Sequence, residues 1–211
     1  VAWMSLDESP RVEVRRYSSH ANGAEDGTVR TGDAAVVVGA PLLRMLDLPA
    51  LPGREADRRL LAAVAADPWR PMAVHAGPST DALTPRGVVD RAATIGSLVE
   101  DLGAGVRHRW DTVNRLLVRV EGRLPESRAT AAVLGGGNLL AVEGEAGWEL
   151  IQYRRATLVG GDLWRLEGLL RGQQGTEREM IAGAGVGALV AFLDDGPGRV
   201  EIGPAERGLT L

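Results

Sequence analysis

The chain contains no cysteine. That excludes a disulfide framework, a thiolate metal site and a cysteine nucleophile. It contains no lysine either: its 24 basic side chains are all arginine, set against 28 carboxylates for a net charge of −4. A GC-rich coding bias accounts for total arginine usage as simply as any function does. With no basic excess to neutralise a phosphate backbone, nucleic acid is not expected as a partner. No apolar run reaches the roughly 18 residues that would cross a membrane as a helix. Residues 1–8 lack the basic region and apolar core of a signal peptide. Aromatics are scarce, yet five of the eight are Trp, so each Trp is worth placing.

What is present reads as β structure. Hydrophobic residues make up 45% of 211, enough to pack one large β domain or two small ones. Short apolar or alternating runs recur at 11–17, 34–38, 92–96, 115–120, 139–142, 148–153, 163–170, 185–193 and 199–202, punctuated by Gly and Pro. That spacing predicts an all-β, mainly antiparallel chain of β-sandwich or barrel-like modules. At most one short helix is expected, near 54–66. After an N-terminal strand and linker at 1–37, a boundary near 122–134 separates a sandwich-like domain 38–128 from a smaller β module 129–211. The missing initial Met and the strand-like ending at 208–211 suggest a piece of a longer chain.

The stretch 148–177 holds the strongest local signal. Trp148–Tyr153 and Leu163–Leu170 read as two strands folded back on each other, with Gly160-Gly161-Asp162 supplying positive-φ positions for the connection. Arg171-Gly172-Gln173-Gln174-Gly175-Thr176-Glu177 follows as a polar, glycine-bracketed loop, which is more simply a shaped turn than a binding site.

No catalytic constellation emerges. Gly183-Ala184-Gly185-Val186-Gly187 precedes a strand, whereas a phosphate loop follows one and opens a helix, so no cofactor is expected. Gly135-Gly136-Gly137-Asn138 reads as a bend that lets backbones approach closely. The carboxylate pairs Asp194/Asp195, Glu143/Glu145 and Glu177/Glu179 lie in expected loops or their rims, where solvated turns are a better reading than glycosidase acids. His20, His75 and His108 are far apart in sequence, and no metal set forms around them. The binding candidates are Trp69 and Trp110, which can stack on a sugar, together with Arg109, Arg154 and Arg155, which can hold a sugar phosphate or an acidic partner. The competing account is structural: Trp110 packs at a domain edge and Asp111 caps the turn after it.

The order Gly136–Val142, Trp-Glu-Leu-Ile-Gln-Tyr at 148–153, then Leu166-Glu167-Gly168-Leu169-Leu170-Arg171-Gly172-Gln173-Gln174-Gly175-Thr176-Glu177 resembles the C-terminal region of phage tail-tip proteins, in particular the large baseplate-hub proteins of gene transfer agents. Ala40–Leu43, Asp47–Pro49, Ala93–Gly96, Arg109–Asp111 and Glu206–Leu211 sit in the same order, so the resemblance runs from about residue 38 to the end. It marks Arg171, Gly172, Gly175, Thr176 and Glu177 as a motif loop. It implies a non-enzymatic virion component at the tail tip, assembled in the bacterial cytoplasm and expected as a homotrimer. The implied partners are other hub proteins and, through contact with the envelope, cell-surface polysaccharide. A glycan- or receptor-binding module is the alternative, and an accessory domain of an envelope-degrading hydrolase the second. The hydrolase-like barrel of the large relatives has no counterpart in this sequence. Residues 54–66 are helical on propensity. The resemblance instead places strands there, favouring a hairpin that turns at Asp67-Pro68 with Val64 and Val74 on its core face.

Overall fold

A computed structural model describes residues 2–3, 12–16, 40–51, 60–77, 79, 81–194 and 196–201. Before residue 90 the strands are β1 (Ala2–Trp3), β2 (Val12–Arg16), β3 (Leu42–Leu46), β4 (Leu60–Ala65), β5 (Met72–Ala76) and β6 (Thr84–Val89). Then come β7 (Ile95–Leu98), β8 (Leu116–Glu121), helix α1 (Thr130–Leu134), β9 (Leu139–Gly144), β10 (Gly147–Gly160) and β11 (Leu163–Gln173). Helix α2 (Glu177–Ala182), β12 (Leu189–Phe192) and β13 (Gly198–Val200) complete the order. The chain is mostly antiparallel β, as its punctuated strand pattern predicts.

Three layers result. Strands β1-β2-β5-β6 form one sheet, β13-β4-β3 a second, and β10-β11-β8-β7-β12-β9 close into a barrel. The barrel's strands come from both sides of residues 122–134.

The middle layer explains a sequence that alternation alone could not place. Leu60, Ala62 and Val64 of β4 pack into the core shared with the first sheet, beside Met72, Val74 and Val89. Leu61, Ala63 and Ala65 point the other way, onto the outer wall of the barrel at Ile95, Ala141, Leu150 and Ala191. A strand covered on both faces needs apolar residues throughout, which is why Leu-Leu-Ala-Ala-Val-Ala has no period of two. The alanines on both surfaces of this contact let the layers approach closely.

This corrects the hairpin reading of 60–76. Both strands exist, and Val64 and Val74 are both buried. They are not partners, however: β4 pairs with β3 and β13, while β5 pairs with β2 and β6. Residues 66–71 cross between layers, and Pro68 and Pro71 lack the N–H groups that a continuing ladder requires. The helix alternative fails over 60–65, which are strand; residues 52–59 lie outside the described residues, as do 34–38, His20, Asp195 and 202–211.

Other elements shift as well. Residues 84–89, outside the runs expected as strands, are strand; the expected boundary at 122–134 holds α1; and Gly185–Gly187 is a turn before a shorter β12. The two helices among the described residues stand at 130–134 and 177–182.

On β8 and β9 the inward side chains keep a period of two, whereas on β11 Leu166 and Leu169, three apart, both reach the same cluster. Leu116, Val118 and Val120 of β8, Leu140 and Val142 of β9, Ile151 and Tyr153 of β10, and Leu166 of β11 point inward to one cluster. Each such buried aliphatic side chain contributes roughly 1.5–3 kcal/mol of transfer free energy. The β10–β11 hairpin is longer than expected, pairing from Leu150↔Gln173 to Gly160↔Leu163 around the two-residue turn Gly161-Asp162.

Candidate functional site

Glu149, Arg171 and Thr176 of the motif stretch meet at one end of the barrel with their polar groups turned inward. Arg171, near the end of β11, is wholly buried, and so nearly are its carboxylate partners Glu149 and Asp111, at 4% and 2% exposure. Its guanidinium grips Glu149 with both arms, Nε to Oε1 at 2.6 Å and Nη2 to Oε2 at 2.8 Å. Nη1 and Nη2 also donate to the Gly103 carbonyl at 3.1 Å, and Asp111 Oδ2 stands 3.7 Å from Nη1. Glu149 Oε1 accepts the Gly172 N–H at 3.0 Å as well. A buried pair held this way repays its desolvation only because nearly every donor and acceptor is used.

The remaining motif residues complete the same fastening. Gly172 sits at φ +59°, where a Cβ would lie 3.1 Å from Glu177 Cα and 3.2 Å from Met180 Sδ, so the position requires glycine. Thr176 Oγ1 accepts the Leu150 N–H at 3.0 Å and donates to the Gln173 carbonyl at 2.7 Å. Gly175 takes φ +86° in the turn before α2, whose first turn carries Glu177 and Glu179. The expected loop 171–177 is thus strand to Gln173, a turn at Gln174-Gly175, and helix from Glu177. Gln152, in the same stretch, donates through Nε2 to the carbonyls of Val133 and Gly137 and ties α1 to β10.

Asp111 does cap the turn after it: Oδ1 accepts the N–H groups of Val113 at 3.0 Å and Asn114 at 2.9 Å, and Oδ2 accepts Asn114 Nδ2 at 2.7 Å. Burial works to raise its pKa, but these hydrogen bonds and the Arg171 charge outweigh it and hold the carboxyl below the usual range. Trp110 is half-buried beneath the Arg154 guanidinium, 5.4 Å from the ring centroid, a cation–π contact that occupies its face. Arg109 lies next to it on an exposed bend, and Arg155 is exposed on β10. Trp69 belongs to a different layer, packed against the core between the two open sheets, with Nε1 3.4 Å from the Asp90 carbonyl. The five binding candidates therefore do not form one surface.

The opposite end of the barrel holds a cavity that sequence reasoning missed. It measures about 230 Å³. Tyr153 and Phe192, edge to face at 6.2 Å and 84°, line it together with Leu124 and Pro125. Arg91, Arg123, Arg128, Glu126 and Asp194 surround it. Asn138, at φ +55°, anchors this end through Nδ2 to the carbonyls of Glu126 at 2.9 Å and Tyr153 at 3.1 Å. Asp194 accepts the N–H groups of Asn138 and Leu139, each at 3.1 Å, and faces Arg128 at 3.5 Å. Burial raises the Tyr153 pKa, the Asp194 charge adds to that, and the phenol stays protonated. These residues come from five separate segments, so no local motif announces them; the one signal was Asp194 in its Gly/Pro turn.

Among the described residues no group of three or more His, Asp or Glu is placed to hold a metal ion. Glu143 and Glu145 are exposed around the β9–β10 turn, and Glu177 and Glu179 lie on α2. No helix among the described residues is long and apolar enough to cross a membrane.

Residues 93–191 match the family model described as Rcc01698-like, C-terminal. That stretch runs from just before β7 into β12 and so coincides with the barrel. The curated proteins contain no match to the chain.

Proposed function

We propose that the chain is a structural, non-enzymatic component of a phage-like tail tip, of the gene transfer agent type, contributing to hub assembly and to contact with the bacterial envelope. One observation carries the reading. The polar side chains of the motif that prompts the tail-tip resemblance, Glu149, Gln152, Arg171 and Thr176, are spent on fastening the barrel rather than offered to a cleft. What such a motif preserves is a rigid module, and rigidity is what a mechanical part needs. The family match over the barrel is consistent with this. In the proposed setting the partners are other hub proteins and further copies of the chain, as a trimer, and its place is the particle's tail.

The test is immunogold electron microscopy of particles from the source bacterium, with an antibody raised against the barrel. Label at the tail end, together with loss of adsorption when the gene is deleted, supports the proposal. Particles without label, and deletion strains whose particles adsorb normally, overturn it. A glycan-binding reading has one specific observation in its favour, the cavity at the barrel mouth.

A further inference from the structure

The mouth cavity has the chemistry of a site for one ring of an acidic sugar. Its size comes first. At about 230 Å³ it falls below the roughly 300–1,000 Å³ of sites that enclose drug-sized ligands, so it suits a single ring rather than a peptide or an extended chain. Its walls come second. Leu124 is 64% exposed at the mouth and, over the half-buried Phe192 and the buried Pro125 that line the cavity behind it, offers an apolar surface of the kind on which a pyranose lays its C–H face. Charge comes third. Three guanidinium groups and two carboxylates surround the opening. Asp194 is already engaged by two backbone N–H groups and by Arg128. Glu126 meets Arg123 at only 3.3 Å, with both side chains more than 60% exposed. An incoming carboxylate competes with Glu126 for that guanidinium and can accept two parallel hydrogen bonds from it.

We propose that the barrel mouth binds a hexuronate-type residue, with its ring on Leu124, Pro125 and Phe192 and its carboxylate on Arg123. This supplies the envelope contact proposed above with a chemical partner. The inference itself stands on the cavity, so its failure leaves the tail assignment intact.

The experiment is an NMR titration of the 211-residue chain with methyl β-glucuronide, with methyl β-glucoside and inorganic phosphate as comparators. Saturable shifts at Leu124 and Phe192 are expected, with a Kd of about 1 mM for the glucuronide. Binding of the glucoside should be about tenfold weaker. Leu124→Asp should weaken the glucuronide by tenfold or more, and Arg123→Gln by about tenfold; both positions are exposed, and an unchanged spectrum elsewhere certifies the fold. Two outcomes overturn the proposal. One is no saturation by either sugar at roughly 50 mM, well above that Kd. The other is phosphate and glucuronide binding alike with no response to Leu124→Asp, which marks a bare anion patch.

Discussion

The two ends of the barrel use the same residue types on opposite terms. At the Arg171 end a guanidinium and two carboxylates are removed from water, and the charge pair Arg171–Glu149 is bidentate at 2.6 and 2.8 Å. At the mouth, Arg123–Glu126 and Arg128–Asp194 sit at 3.3 and 3.5 Å with their side chains in partial contact with water. The first arrangement is strong only while complete, because each partner would be a buried, uncompensated charge without the other. The second is weak but exchangeable, because water and salt already compete for it. One end is therefore built to hold the barrel closed, while the other keeps its ion pairs within reach of water.

Breaking the closed end should give the largest effect. Arg171→Ala strands Glu149 in the interior and should cost about 3–5 kcal/mol, read as a fall in the urea midpoint. The double variant Arg171→Met, Glu149→Leu should recover part of that loss by replacing the pair with apolar volume. Recovery stays incomplete because the Gly172 N–H and the Gly103 carbonyl lose their partners. A double variant no better than the single would mean that the cost lies in packing rather than in the orphaned charge.

Gly172→Ala probes the same end through the backbone. A side chain at φ +59° costs roughly 1–2 kcal/mol, and contacts at 3.1 and 3.2 Å add to it. Thermal melting should fall by roughly 4–8 °C, whereas the same change at the exposed Gly160, where a Cβ meets nothing within 4 Å, should move it little.

How far this contrast could be read from sequence follows from where each end draws its residues. The hairpin 147–173 was legible because alternation and a Gly-Gly-Asp turn are local signals. The fastening was half legible: Arg171–Glu177 stood out as a unit, but its polarity suggested a solvated loop, since the partner Glu149 lies 22 residues away and sequence does not report burial. Helix α1 has no side-chain cap hydrogen bond and only five residues, so it offered no start signal. For α2 the signal was there to use, in Glu177 and Glu179 at its first turn. The layer exchange at 66–71 could not be seen, because β4 and β5 each look like half of a hairpin until their partners are known. The mouth was invisible, being assembled from residues as distant in sequence as Arg91 and Asp194.

Acid probes the closed end without a mutation. The Asp111 carboxyl is held below its unfolded value of about 3.9. Its contribution to stability is therefore complete above that value and is lost as pH falls through the lower, folded one. Melting temperature should be level near neutrality and drop below about pH 4. Asp111→Asn should lower the neutral plateau and flatten the acid limb; an acid limb unchanged in this variant would assign the loss to other carboxylates.

The smallest effect is expected where the charges are loosest, and it tests the comparison most directly. Arg123 lies at the mouth on a connection between β8 and α1, with its guanidinium 3.3 Å from Glu126 and both side chains largely in water. Ion pairs of this kind contribute about 0–1 kcal/mol. Arg123→Gln should therefore leave the urea midpoint within about 0.5 kcal/mol of the parent, even as it weakens the glucuronide at the mouth. Its backbone N–H, bonded to Thr94 Oγ1 at 3.1 Å, is untouched by the change. A loss of stability comparable with that of Arg171→Ala would show that the mouth, too, is part of the fastening, and the division of labour between the two ends would fall.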